Sequence, residues 1–252
     1  MNGKVLQISP NKAIVDLVVL SFNGLKTSQD FIKYFYKNTS PKDAHLIWVD
    51  NGSTDGTIPY LQEIADEKDN FSLISMSENY GVIGGRNFGY DFSKANPRRG
   101  NYLMFLDNDQ FVQQGWLEDH MSFLNDNHYD LVGVEAWQMN SLFMPILKIS
   151  SAKQHFNYVG CGGMLMKNIV PDTIGMFDER FNPAYFEDPD LNLRSYQAGF
   201  KIGWNSKAKI VHIPHQTLGK LNVAEKSKRF GASIRKFREK WKGVALPIFR
   251  QG

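Results

Sequence analysis

The chain has 252 residues, 42% hydrophobic and 22% charged, enough for one large α/β domain or a domain with an appendage. A single cysteine, Cys161, excludes an internal disulfide framework and a multi-cysteine zinc site, and fits a reducing, cytoplasmic compartment. The net charge of +3 hides an asymmetry: residues 220–252 hold ten Lys/Arg and two Glu, a balance of +8, leaving −5 for the other 219 residues.

No run approaches the length of a membrane span, and residues 1–12 lack the apolar stretch of a secretory leader. Residues 13–21 (AIVDLVVLS) predict a first strand, followed by Asn23-Gly24 and a helix over 25–37. A second strand at 46–49 runs into the polar loop 50–56 (DNGSTDG). A helix over 57–68, a strand at 71–76 and a glycine-rich loop at 78–85 lead into a helix reaching about residue 94.

The apolar run 102–106 predicts a strand buried on both faces, and it ends abruptly in Asp107-Asn108-Asp109. A helix over 114–125 and a strand at 131–136 follow. Such alternation predicts a mostly parallel sheet with helices on both faces. The second half is less regular. Residues 139–155 read as a loop, and 158–167 (YVGCGGMLMK) as a glycine-interrupted strand whose small residues let another group approach the backbone. In 186–190 (FEDPD), Pro189 suits the first helical position with Asp188 as N-cap, and the helix runs to about residue 199. Strands at 201–205 and 209–213 complete the body.

Four clusters therefore sit at strand ends or helix starts: Asp50, Asp107/Asp109, Glu187/Asp188 and His212/His215. Singly, each has a plain reading as a turn, an N-cap or a core histidine. Two carboxylates one residue apart are costly to bring together unless a cation or a set of donors is shared between them. In open α/β sheets, ligands also collect beyond the carboxyl ends of the strands.

The segments VVLSFNG (18–24), VDNGSTDGT (49–57), ENYGVIGGRNFGYD (78–91), FLDND (105–109), GMFDERFNPAYFEDPDLNLR (175–194) and the His212 region resemble the family 2 glycosyltransferases. These are inverting nucleotide-sugar enzymes of the GT-A fold, and the likeness is to their rhamnosyltransferase-like bacterial branch. The resemblance covers roughly residues 14–215. It implies a catalytic domain over 1–215, and the residues beyond it, 216–252, read as a basic helical tail. It also implies that Ser21, Phe22, Asp50, Asn51, Arg86 and Asp107 contact the donor nucleotide; by position alone, Arg86 reads as a solvated helix arginine.

Asp107 and Asp109 resemble the DxD that meets ribose and a divalent cation on the diphosphate. With His212 as third ligand the expected ion is Mn2+ or Mg2+, an imidazole favouring Mn2+. His215, three residues on, is the alternative ligand. Asp188 matches the position that carries the general base, with Glu187 orienting an acceptor hydroxyl. The implied partners are a UDP- or dTDP-sugar donor and a glycan or lipid-linked acceptor of the cell envelope. Two other readings stand beside this: a sugar-nucleotide pyrophosphorylase, whose long N-terminal glycine loop is missing here, and a non-catalytic nucleotide-sugar binder.

In the tail, Val223, Phe230, Ile234, Phe237 and Trp241 recur at spacings of 7, 4, 3 and 4, an apolar stripe ringed by Lys and Arg. Such a helix either docks on the body or lies on an anionic membrane surface at the inner face of the plasma membrane. The acidic body and the lack of a recognised module argue against nucleic acid.

Overall fold

The computed structural model describes residues 2–8, 12–213 and 222–250. β1 (Gly3–Gln7), β2 (Val15–Ser21), α1 (Leu25–Asn38), β3 (Ala44–Asp50), α2 (Thr57–Glu67), β4 (Phe71–Met76), α3 (Gly81–Ala95) and β5 (Tyr102–Asp107) form the first half. β6 (Gln110–Val112), α4 (Trp116–Asp126), β7 (Leu131–Gly133), β8 (Ala136–Met139), β9 (Pro145–Lys148), β10 (Tyr158–Val159) and β11 (Met164–Lys167) come next. α5 (Ile169–Ile174), α6 (Glu187–Gln197), β12 (Ile202–Trp204), β13 (Ile210–His212) and α7 (Val223–Lys240) follow.

An eight-stranded sheet has the order β1-β4-β3-β2-β5-β11-β7-β12. From β4 to β5 the strands are parallel, so the ends of β2, β3 and β5 open on one edge. This is the expected α/β architecture, with two antiparallel intruders. β1 pairs with β4 at the edge, and β11 lies between β5 and β7.

Each parallel strand feeds two cores. On β5, Leu103 and Phe105 face one side while Met104 and Leu106 face the other, all at most 1% exposed. The second side is covered by Phe31 and Phe35 of α1, Leu61 of α2 and Trp116 of α4. The first is covered by Ile83 and Tyr90 of α3, Leu191 of α6, and Ile234 and Phe237 of α7.

Four expectations for the second half need correction, the first being the single strand at 158–167, which is two strands in different sheets, β10 and β11. The strand expected at 131–136 is two, β7 in the main sheet and β8 in a three-stranded sheet of order β10-β8-β9. Residues 139–155 are not all loop, because β9 returns along β8 as a hairpin. Asp188 is not the N-cap of α6. Phe186, held at φ 70°, takes that position, and Pro189 is the third helical residue, where its missing N–H is still harmless.

The tail helix packs on the body. Phe237 is fully buried, with ring centroids 5.4 Å from Phe143 and 5.1 Å from Phe186, and Ile234 and Trp241 are buried beside it. Val223, expected in the same stripe, is 78% exposed. The boundary expected at 215/216, and His215 itself, lie outside the described residues. Among the described residues, no helix is long and apolar enough to cross a membrane.

Candidate active site

The carboxyl ends of β2 and β5 meet a wall made by β8–β10, α6 and the start of α7, enclosing a cleft of about 830 Å³. Ser21, Phe22, Asn51, Arg86, Asp107, Asp109, Glu187, Asp188 and His212 all line it. Asp50 does not. Its carboxylate accepts from Ser21 Oγ at 2.8 Å, and from Ser53 N and Oγ at 2.7 Å each, at zero exposure. Ser21 in turn accepts from Trp48 Nε1 at 2.8 Å. Asp50 therefore ties the ends of β2 and β3 together and shapes the loop behind the cleft. Asn51 donates to Asn79 Oδ1 and Gly81 O, both at 3.0 Å, and its oxygen accepts from Tyr80 N.

Arg86 reaches the cleft because α3 lies close on the sheet. Gly89 faces Val18, and an added Cβ would come within 2.5 Å of that valine. The guanidinium is buried, so its reading as a solvated arginine fails. It donates to Asp107 Oδ1 at 2.5 Å and lies 3.9 Å from Glu187 Oε1.

A short ribbon brings His212 across. β13 pairs antiparallel with β6, His212 stands opposite Gln110, and Ile213 N donates to Asp109 O at 3.0 Å. His212 Nε2 is then 3.4 Å from Asp109 Oδ1, and Nδ1 is 3.2 Å from Glu135 Oε1. Hydrogen bonds to Asp109 and then Glu135 raise the imidazole to about 10. Burial would raise Glu135, but hydrogen bonds from His212 and Lys148 outweigh it and lower the acid to about 2.

Asp107, Asp109 and His212 each offer one ligand atom within 4.8 Å of the others. Two carboxylate oxygens and an imidazole nitrogen facing an open cleft fit a divalent cation that displaces the imidazole proton on binding and borrows its remaining ligands from a substrate.

The glycine run between β10 and β11 forms the floor. A Cβ on Gly162 would come within 2.5 Å of Asp107 Oδ2, and one on Gly160 within 3.8 Å of Asp188 Oδ2. Backbone therefore takes the space between the two acids. Asp188 is half-buried and accepts from the Cys161 backbone N–H, but its Oδ1 is shut from solvent with no hydrogen-bond partner among the described residues. Burial first, and then the charge of Glu187, raise Asp188 to about 8. Burial likewise raises Glu187, whose Oε2 is also unpartnered. Asp190 is committed elsewhere, to Arg194 Nε at 2.8 Å, Trp241 Nε1 at 2.9 Å and Lys240 Nζ at 2.6 Å.

Sequence reasoning missed Glu135, Gln110 and the aromatic wall of Trp137 and Tyr158. Gln110 Oε1 accepts from Asp107 N at 2.9 Å and so fixes the turn that carries the two aspartates. Its place one residue after Asp109 was the available signal. Glu135 joins two three- to four-residue strands and had none.

The mostly parallel sheet, with a DxD at its strand ends and a histidine ribbon and a buried acidic pair opposite, matches the GT-A fold. Residues 16–169 match the family described as Glycosyl transferase family 2, and the chain belongs to that family. AglE of Haloferax volcanii, named a glycosyltransferase, is 31% identical over 120 residues, covering 47% of this chain and 38% of AglE. TarS of Staphylococcus aureus, a poly(ribitol-phosphate) beta-N-acetylglucosaminyltransferase, is 23% identical over 131 residues, 51% of this chain and 22% of TarS.

The crystal structure of TarS 1–349 with UDP-GlcNAc superposes with a TM-score of 0.61 at 16% identity, covering 83% of this chain and 61% of that one. The mannosyltransferase PcManGT of Pyrobaculum calidifontis, in complex with GDP-Man and Mn2+, superposes at 0.68 with 13% identity, covering 98% and 69%. At these identities the structures bear on the fold alone. The chain spans about a third of the length of three curated relatives that it matches.

Proposed function

We propose that the protein transfers a sugar from a nucleoside-diphosphate donor to a hydroxyl of a cell-envelope glycan or its lipid-linked precursor, with inversion at the anomeric carbon. The observation that carries this reading is the meeting, in one cleft, of a cation-ligand triplet and a carboxylate with an unpartnered oxygen. Structures of the same fold in complex with UDP-GlcNAc and with GDP-Man support a nucleotide-sugar donor. A UDP- or dTDP-sugar is the first choice, with Ser21, Phe22, Asn51 and Arg86 at the nucleotide and Asp50 bracing them from behind.

Mn2+ or Mg2+ held by Asp107, Asp109 and His212 would offset the charge that grows on the departing diphosphate. Arg86, already beside Asp107 and Glu187, adds a fixed positive charge on the same side. Asp188 takes the proton of the acceptor hydroxyl as its oxygen attacks, and Glu187 holds that hydroxyl in line.

The pH profile tests the base. Asp188 works only when ionised, and its pKa lies near 8 in the free protein. The logarithm of kcat/KM should therefore climb by about one unit per pH unit below pH 8 and level off above it. kcat should bend at lower pH, because the bound cation favours the carboxylate. A kcat/KM that stays flat from pH 6 to 9 would contradict the assignment.

A further inference from the structure

The β8–β9 hairpin holds apolar side chains out in solvent. Leu142, between the strands, is 63% exposed, and Ile146 and Leu147 on β9 are 58% and 42% exposed. Adjacent residues of a strand point to opposite faces, so β9 is uncovered on both. The turn between the strands is nonetheless firmly held. Asn140 Oδ1 accepts from Leu142 N at 2.9 Å and from Met144 N at 3.0 Å, and Phe143 stacks edge-on against buried Phe237.

α7 runs beside this turn, with Arg238 Nε donating to Leu142 O at 2.9 Å. Arg235 and Arg238 stand three apart on α7, Lys242 follows in the turn just past its end, and all three are exposed. Glu239 borders this basic group and leaves it with a surplus of positive charge.

We propose that these six side chains form a docking surface for an anionic lipid bilayer. Leu142, Ile146 and Leu147 enter the headgroup boundary while the basic group lies over the acidic headgroups. This differs from a membrane role for the tail's own apolar stripe, which is consumed against the body. A second copy adding a strand to β9 is disfavoured by the edge itself. The strand opens with Pro145, which has no N–H, closes with Lys148, and pairs with β8 through a register slip between Gln138 and Met139. Those are the devices by which sheets block further pairing.

Trp137 and Pro145 of the same hairpin line the cleft, so docking brings the cleft mouth to the bilayer. On the transferase reading, that mouth would face a lipid-borne hydroxyl. The test below uses vesicles alone and so stands or falls separately from sugar transfer.

The intact protein is co-sedimented at low salt with phosphatidylglycerol-rich vesicles and with pure phosphatidylcholine vesicles. It should bind the first and remain in the supernatant with the second. The triple variant Leu142→Ser, Ile146→Ser, Leu147→Ser and the triple variant Arg235→Gln, Arg238→Gln, Lys242→Gln should each bind about tenfold more weakly or worse. Ile169→Ser, on exposed α5 at the far end of β11, should bind as wild type does. Melting curves check that the variants fold, as substitutions of exposed side chains should allow. The proposal is overturned if wild type ignores the acidic vesicles, or if the serine triple variant binds them equally. It is also overturned if sedimentation velocity shows a dimer that Ile146→Ser dissolves, which would assign β9 to a second copy.

Discussion

Asp188→Asn should bind the nucleotide donor almost as tightly as wild type, yet transfer sugar about a hundred- to ten-thousand-fold more slowly. The amide keeps the shape of the carboxyl group and can still accept from the Cys161 N–H, so the cleft floor should be unchanged. What it loses is the ability to take a proton. Of the three acids at the start of α6, Asp190 is bound by three donors and Glu187 leans toward Arg86, which leaves Asp188 free to act.

The same change carries a stability signature. An acid whose folded pKa is raised binds more protons folded than unfolded, so its penalty is absent below about pH 4 and grows up to about pH 8. Asp188→Asn should therefore melt above wild type at pH 8 and alongside it at pH 4. Near-normal turnover by this variant would move the base to Glu187.

Phe237→Ala should cost about 3–5 kcal/mol of folding stability, read from urea unfolding, because it empties the centre of an aromatic cluster. The ring is fully buried and meets Phe143, Phe181, Phe186 and Trp241 at centroid distances of 5.4, 6.0, 5.1 and 6.3 Å. Phe186 directly precedes Glu187 and Asp188, so catalysis should suffer as well. Val223→Ala, at the exposed start of the same helix, should change stability by less than about 0.5 kcal/mol. A loss under 1 kcal/mol at Phe237 would mean that α7 is only loosely attached to the enzyme body.

The parallel half of the fold was legible because its strands are buried on both faces and therefore spell continuous apolar runs. Their polar stops also pointed to one edge of the sheet, and the structure gathers Ser21, Asn51, Asp107 and Asp109 there. Strand direction has no such signature. β11 is as apolar as β5, and nothing in its residues says that it runs antiparallel between β5 and β7. β13 was legible as the strand at 209–213, but its partner β6 is three residues long and about a hundred positions away, so their pairing into a ribbon was hidden. The start of α6 was misread because Asp-Pro is a good N-cap pair. Tertiary packing of Phe186 among Phe230 and Phe237 moved the boundary and turned Asp188 inward. Asp50 showed its burial only in three dimensions, where Ser21, Ser53 and Trp48 close around it.

Calorimetric titration of UDP, dTDP and GDP into the protein, with Mn2+ and then with EDTA, tests the central claim most directly. The triplet Asp107, Asp109 and His212 should hold a cation firmly only when phosphate oxygens complete its shell. At least one nucleotide should therefore bind tightly with Mn2+ and weakly with EDTA, and Asp109→Ala should erase that difference. Equal affinity with and without the cation, in wild type and Asp109→Ala alike, would contradict the account of this cleft as a cation-dependent nucleotide-sugar site.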